Sequence, residues 1–152
     1  MIHSPFKKKA DIDPKKYADA KGFDSIQGEI EIYENYAAGL KDTEGFSHLV
    51  VLFAFHLSEG FSLITKPLLD ETLRGVFSTR SPHRPNPIGL TVVEVVERQG
   101  HILLVRGVDM IDGTPVLDIK PYTPRDIKTD LRIGWLTGKI KDWPCRSSGT
   151  EG

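Results

Sequence analysis

The sequence predicts an all-β protein, a small closed or nearly closed β-barrel with short helical insertions. Three observations predict it. Residues 48–56, HLVVLFAFH, form an apolar run with β-branched and aromatic members, too short for a buried helix. Residues 88–98 and 101–111 are rich in Val, Leu and Ile and meet at Gln99-Gly100, the pattern of a hairpin. No stretch sustains a 3.6-residue apolar period over four turns.

Residues 26–33, IQGEIEIY, alternate acidic and apolar side chains and predict a half-exposed strand. The 48–56 run suits a strand buried on both faces. Residues 75–79, GVFST, predict a short strand leading into a proline-rich loop. Asp112-Gly113 reads as a second hairpin turn before PVLDIKPY, so the last three strands are expected to form a meander. Helical signals are sparse. Asp13 as N-cap and Pro14 at the first position open a short helix over 15–20. One turn is expected over 35–40, and a turn or short helix over 63–74 after Pro67. The barrel domain is expected over 1–143, with a polar tail, PCRSSGTEG, over 144–152.

The chain has 152 residues, 39% hydrophobic and 27% charged, in the range of one globular domain. Its net charge of −1 gives no global basic field, so any nucleic-acid contact rests on a local patch. One cysteine, Cys145, excludes an internal disulfide and a multi-cysteine zinc site. The opening MIHSPFKKK lacks an apolar segment after its basic residues, and no window reaches membrane-helix length. A cytoplasmic protein without a membrane partner is the expectation. There is no Rossmann glycine fingerprint, P-loop or nucleophile elbow.

Residues 80–91, RSPHRPNPIGLT, concentrate the chemistry. Pro82, Pro85 and Pro87 stiffen the loop, which lowers the entropy lost when it grips a ligand. Arg80 and Arg84 offer planar forks for phosphate, carboxylate or a ring face. Asn86 is held out of the helical region by Pro87, and Gly89 permits close backbone approach. A structural crossover with solvated arginines is the alternative; the density of prolines and cations favours a ligand loop. In DMIDGTPVLDIKPY, residues 109–122, Asp112, Gly113 and Thr114 offer a turn with acceptors and backbone donors, although Asp112 alone reads first as a turn former. Asp118 in an apolar strand needs a partner, and Lys120 on the same face supplies one. His48 reads as a satisfied strand-end histidine, whereas His56 stands open to a ligand. The two are too far apart to share a metal, and no metal site is expected.

GVFSTRSPHRPNPIGLT, DMIDGTPVLDIKPY, EGFSHLVVLFAFH and the opening SPFK together resemble the TsaA-like (TrmO-type) family over nearly the whole chain. The resemblance implies a β-barrel methyltransferase that uses S-adenosylmethionine to methylate N6 of the threonylcarbamoyl-modified adenosine beside the anticodon of certain tRNAs. It also implies a homodimer with the cofactor near the subunit interface. Carried over by position, the cofactor contacts are His56, Leu57, Arg80, Leu90, Asp112, Gly113 and Thr114. Arg84, Asn86, Lys120 and Tyr122 lie in the same motifs and are assigned to substrate. No catalytic acid or base is implied by name. Residues 10–24 depart from the family pattern, which keeps a non-catalytic S-adenosylmethionine-binding module in view; a methyltransferase with another substrate is the further alternative.

Overall fold

In the computed structural model, residues 1–13, 16–17 and 22–140 are described; the tail expected at 144–152, with Cys145, and most of the helix expected over 15–20 lie outside them. Eight strands run in chain order: β1 (Ile2–His3), β2 (Gln27–Glu31), β3 (His48–Ala54), β4 (Ile64–Thr65), β5 (Arg74–Gly75), β6 (Ile88–Gln99), β7 (Ile102–Arg106) and β8 (Val116–Pro121). Six of them form one antiparallel sheet in the order β1-β2-β7-β6-β3-β8, and β4 pairs with β5 apart from it. The helical pieces among the described residues are short 3₁₀ turns, one of them Glu34–Leu40 where a turn is expected. None is long and apolar enough to cross a membrane.

The β6–β7 hairpin forms as the sequence predicts, but one residue later. Gln99 pairs with Ile102, which leaves Gly100-His101 as the two-residue loop with Gly100 at φ +63°. The predicted meander does not form: β8 pairs with β3, not β7. The reason lies in the hydrogen bonds of Asp112-Gly113. The Asp112 amide donates to the Phe6 carbonyl (2.7 Å), the Gly113 amide to Ile2 (2.8 Å), and the Ile2 amide to Thr114 (2.9 Å). The segment therefore runs beside the N-terminal strand, and its turn faces β1 instead of reversing onto β7.

β3 is buried on one face only. Leu49, Val51 and Phe53 enter the core, whereas Val50, Leu52 and Ala54 are half-buried. The expectation of burial on both faces fails because, among the described residues, no second layer covers the outer side of the sheet, where Leu90 and Val92 stand exposed beside Leu52 and Val50. The core joins Ile2, Ile30, Leu49, Val51, Val93, Leu103, Val105 and Val108. Residues 63–74 hold no helix; they form the β4–β5 arm. The strand expected over 75–79 ends at Gly75, and Val76–Ser78 is a 3₁₀ turn.

Candidate cofactor-binding rim

Three segments far apart in sequence meet where β3 ends and β6 and β8 begin. The Ala54 amide donates to the Pro115 carbonyl (3.0 Å) and the Phe55 amide to the Pro87 carbonyl (2.7 Å). The Ser58 hydroxyl donates to the Pro82 carbonyl at 3.0 Å and lies 2.9 Å from His83 Nδ1. The exit of β3 is thus clamped between the proline loop and the DGTP segment. Gly89 secures the junction: a Cβ there would come within 2.3 Å of the Phe53 ring, so only glycine lets that ring lie against the start of β6.

The proline loop is preorganised by its own hydrogen bonds. Arg84 folds back, its Nη1 donating to the Thr79 carbonyl at 2.9 Å and the Ser81 carbonyl at 3.3 Å. The assignment of Arg84 to substrate is thereby weakened, because its guanidinium braces the loop. Arg80 is exposed, and no hydrogen bond to its guanidinium is found among the described residues. His56 and Leu57 are exposed on the turn after β3, and Asn86 is exposed near the loop tip.

Leu90 stands on the outer sheet face in register with Leu52 and Asp118. Lys120 lies one row further along that face, opposite Val50, and its Nζ pairs with Asp118 at 2.8 Å. Asp118 has the partner that the sequence demands, but both side chains are exposed, so this is no buried pair. The Lys120 hydrogen bond, with the Ile119 amide, draws the Asp118 carboxyl below its ordinary value. Tyr122 falls at the opposite end of β3, its ring 6.3 Å from that of His48. Residues 49 and 53 are about 13 Å apart along a strand, so one chain does not bring Tyr122 to the rim.

Asp112 and Thr114 already have internal partners. The Asp112 carboxylate accepts from Lys7 Nζ (2.8 Å) and the Ser4 amide (2.9 Å), which together hold it below the ordinary carboxylate range. Thr114 is buried and its hydroxyl donates to the Ile111 carbonyl at 2.6 Å, locking the turn around Gly113 at φ +84°. An open groove of about 640 Å³ lies on the far side of Asp112, lined among others by His3, Lys7, Gln27 and Glu29, and it shares only Asp112 with the predicted set.

Two features escaped the sequence reading. Asp109, between the buried Val108 and Met110, accepts from the Thr91 hydroxyl at 2.6 Å; its signal was an acid set between apolar neighbours that enter the core. Asp70, almost fully buried, joins Arg74 (2.6 Å) and Lys139 (2.8 Å), while Trp135 Nε1 donates to the Ser78 carbonyl (2.9 Å). These contacts fasten residues 134–139 to the arm that precedes the proline loop.

The chain is an antiparallel, mostly β protein that presents a braced, arginine-bearing loop and exposed apolar side chains at one end of its sheet. The sequence model of the tRNA-methyltransferase O N-terminal domain family matches residues 1–126, and the chain belongs to that family. It is 48% identical over 141 residues to a "probable S-adenosyl-L-methionine-binding protein" of Pyrococcus abyssi, across 92% of this chain and 74% of that one. It is 50% identical over 94 residues to the tRNA (adenine(37)-N6)-methyltransferase of Mus musculus, across 60% of this chain and 22% of that protein. A crystal structure of TrmO superposes with a TM-score of 0.70 at 37% identity, across 88% of this chain and 59% of that chain. The chain thus spans less than two thirds of that crystallised relative and about a fifth of the mouse enzyme.

Proposed function

We propose that this chain is an S-adenosylmethionine-dependent tRNA methyltransferase that acts on N6 of adenine 37, the threonylcarbamoyl-modified adenosine beside the anticodon. The observation that carries this reading is the convergence of the proline loop, the β3 exit and the DGTP turn into one rim. The rim suits the cofactor's chemistry. Arg80 offers an unengaged guanidinium for its carboxylate or its base, and Leu57 and Leu90 offer apolar surface for the adenine face. The turn at Gly113 supplies backbone, and Asp112 becomes available to ribose or amine if the exposed Lys7 swings away. When bound, the cofactor supplies an activated methyl group on a sulfonium. The protein's part is then to hold the acceptor nitrogen in line with that methyl, and the braced loop limits the reorganisation this requires.

The same reading takes the sheet as curling until its edges nearly meet; the Ile2–Thr114 and Gly113–Ile2 hydrogen bonds, between β1 and the segment entering β8, support a nearly closed barrel. It also takes a second copy of the chain as the partner that covers the exposed Phe61, Leu63, Leu68, Leu73 and Phe77 of the arm and completes the open rim. A tRNA substrate fits a cytoplasmic location.

Calorimetry with S-adenosylmethionine and methyl transfer to threonylcarbamoylated tRNA, followed by nucleoside analysis, test the proposal. Arg80→Ala is expected to raise the cofactor Kd about tenfold or more, the worth of one charge-assisted hydrogen bond. An unchanged Kd would remove the cofactor from this rim. A second reading, a binding module without catalysis, is favoured by one observation: the relatives matched over most of their own length, such as that of Pyrococcus abyssi, bear names for binding alone. Tight cofactor binding with no methyl incorporated into any tRNA pool would select it.

A further inference from the structure

We propose that Trp135 is a positioning residue: it braces the entry of the proline loop from outside and so fixes where Arg80 stands at the rim. The proposal rests on the reading of Arg80 as a cofactor contact. Trp135 Nε1 donates to the Ser78 carbonyl at 2.9 Å, and Arg84 Nη1 donates to the next carbonyl, that of Thr79, at 2.9 Å. Each peptide unit is planar, so a donor on each of these carbonyls orients both planes, and the second plane ends at the Arg80 Cα. The two donors differ in kind. Arg84 belongs to the loop and moves with it, so its bonds fix the loop's shape. Trp135 comes from 57 residues further along the chain than Ser78, so its bond fixes the loop's place. The far half of the loop is held to the exit of β3 by the Ser58 hydroxyl and the Phe55 amide. Trp135 supplies the matching hold at the entry.

Trp135 is itself held. Its ring faces the Arg74 guanidinium, whose carbon lies 5.6 Å from the ring centroid. Arg74 Nε and Nη2 donate to Asp70 Oδ2 at 2.8 and 2.6 Å, and Lys139 Nζ donates to Asp70 Oδ1 at 2.8 Å. A buried carboxylate is costly unless it is paired and hydrogen-bonded. Asp70 is buried, and the two cations with the Thr72 amide satisfy it. Between Trp135 and Lys139 the chain turns back on itself, the Thr137 amide donating to Gly134 and the Lys139 amide to Leu136. Residues 135–139 are therefore pinned to the arm at two points, Ser78 and Asp70. A strap pinned once can pivot; pinned twice, it keeps the indole against Ser78. These residues lie beyond residue 126, where the family match ends.

The test combines hydrogen exchange with calorimetry on the full chain. Trp135→Phe keeps an aromatic ring for Arg74 and removes the donor. It speeds amide exchange over residues 79–84 in the absence of cofactor and raises the S-adenosylmethionine Kd about threefold, part of the worth of one neutral hydrogen bond. It adds nothing to the Kd of Arg80→Ala, because the brace acts through that side chain. Asp70→Asn, which frees Lys139 and Arg74 while Trp135 stays intact, gives the same pattern. A fastener that served stability alone would lower Tm and leave both the exchange of that loop and the Kd, measured well below Tm, where they were. Unchanged exchange over 79–84 in Trp135→Phe overturns the brace. Where Arg80→Ala raises the Kd, a Trp135→Phe Kd that is unchanged, or an effect that adds in full to that of Arg80→Ala, overturns it as well. Faster exchange in Trp135→Phe with an unchanged Arg80→Ala Kd overturns the cofactor assignment alone.

Discussion

Gly89→Ala tests whether packing inside the sheet controls the rim. The added Cβ would lie 2.3, 2.4 and 2.9 Å from Phe53 ring atoms, against the roughly 3.5–4.0 Å of an ordinary carbon contact. The ring has to move by more than about 1 Å. It has little room: Phe53 is 5% exposed and its ring meets Phe55 edge-on at 5.2 Å. Overpacking of this kind costs about 1–3 kcal/mol, and the lower chain entropy of alanine returns about 0.4–1 kcal/mol. A net loss of about 1–2 kcal/mol lowers Tm by roughly 2–8 °C in a domain of this size. The displacement passes to Phe55, whose amide holds the Pro87 carbonyl, so the cofactor Kd rises as well. Differential scanning calorimetry and binding calorimetry read both effects. Phe53→Leu in the Gly89→Ala background, which removes the clashing ring atoms, recovers part of the lost Tm. Unchanged Tm and Kd in Gly89→Ala would refute the close approach, and a double variant less stable than either single one would refute its cause.

Leu103→Ala, at a position with no exposed surface, destabilises by about 2–5 kcal/mol in denaturant titration. Asp70→Asn releases Lys139 and Arg74 and makes residues 127–140 more sensitive to limited proteolysis, while the sheet core keeps its protection. The Asp70 carboxyl is held far below its ordinary value of 3.8, first by the Lys139 hydrogen bond and then by Arg74. Its contribution to stability is therefore present above that ordinary value and lost as pH falls through the folded value; the Asn variant loses this acid-side slope in its unfolding profile. Association with tRNA weakens with salt at a log–log slope of roughly 0.7–0.9 per phosphate neutralised, and a salt-independent Kd would argue against a local basic contact.

The strands were legible wherever one face alternates or a turn residue is compulsory. Residues 26–33 and the β6–β7 hairpin follow from period two and from Gly100. Pairing was less legible. Asp112-Gly113 satisfies a hairpin rule locally, but nothing nearby in sequence reveals that its amides are taken by Ile2 and Phe6, more than a hundred positions away. Loop closure on that scale costs about 3 kcal/mol more than a tight turn, a cost that the full burial of Ile2 and the added strand pairing can offset. The β3 error has the same origin: its outward residues are apolar, and sequence alone does not reveal that no second layer among the described residues covers them.

For the site, the motif segments announced themselves, but the work of each side chain did not. Arginine at 80 and arginine at 84 look equivalent in RSPHRPNP. The structure separates them, since Arg84 has two carbonyls of its own loop within reach and Arg80 has none. The same sorting applies to the DGTP turn, where Asp112 and Thr114 hold the N-terminal strand and the chain direction while the unengaged groups lie across the β3 exit at His56 and Leu57. A rim built this way divides its labour. One set of polar residues is consumed in making a stiff edge, and a smaller set is left without partners at that edge. On the proposed reading the unpartnered set carries the affinity, so substitutions at Arg80 are expected to act on binding with little change in Tm. Substitutions at Arg84 or Thr114 are expected to lower Tm and Kd's tightness together, and a clean binding defect at Arg84 would show that this division is wrong.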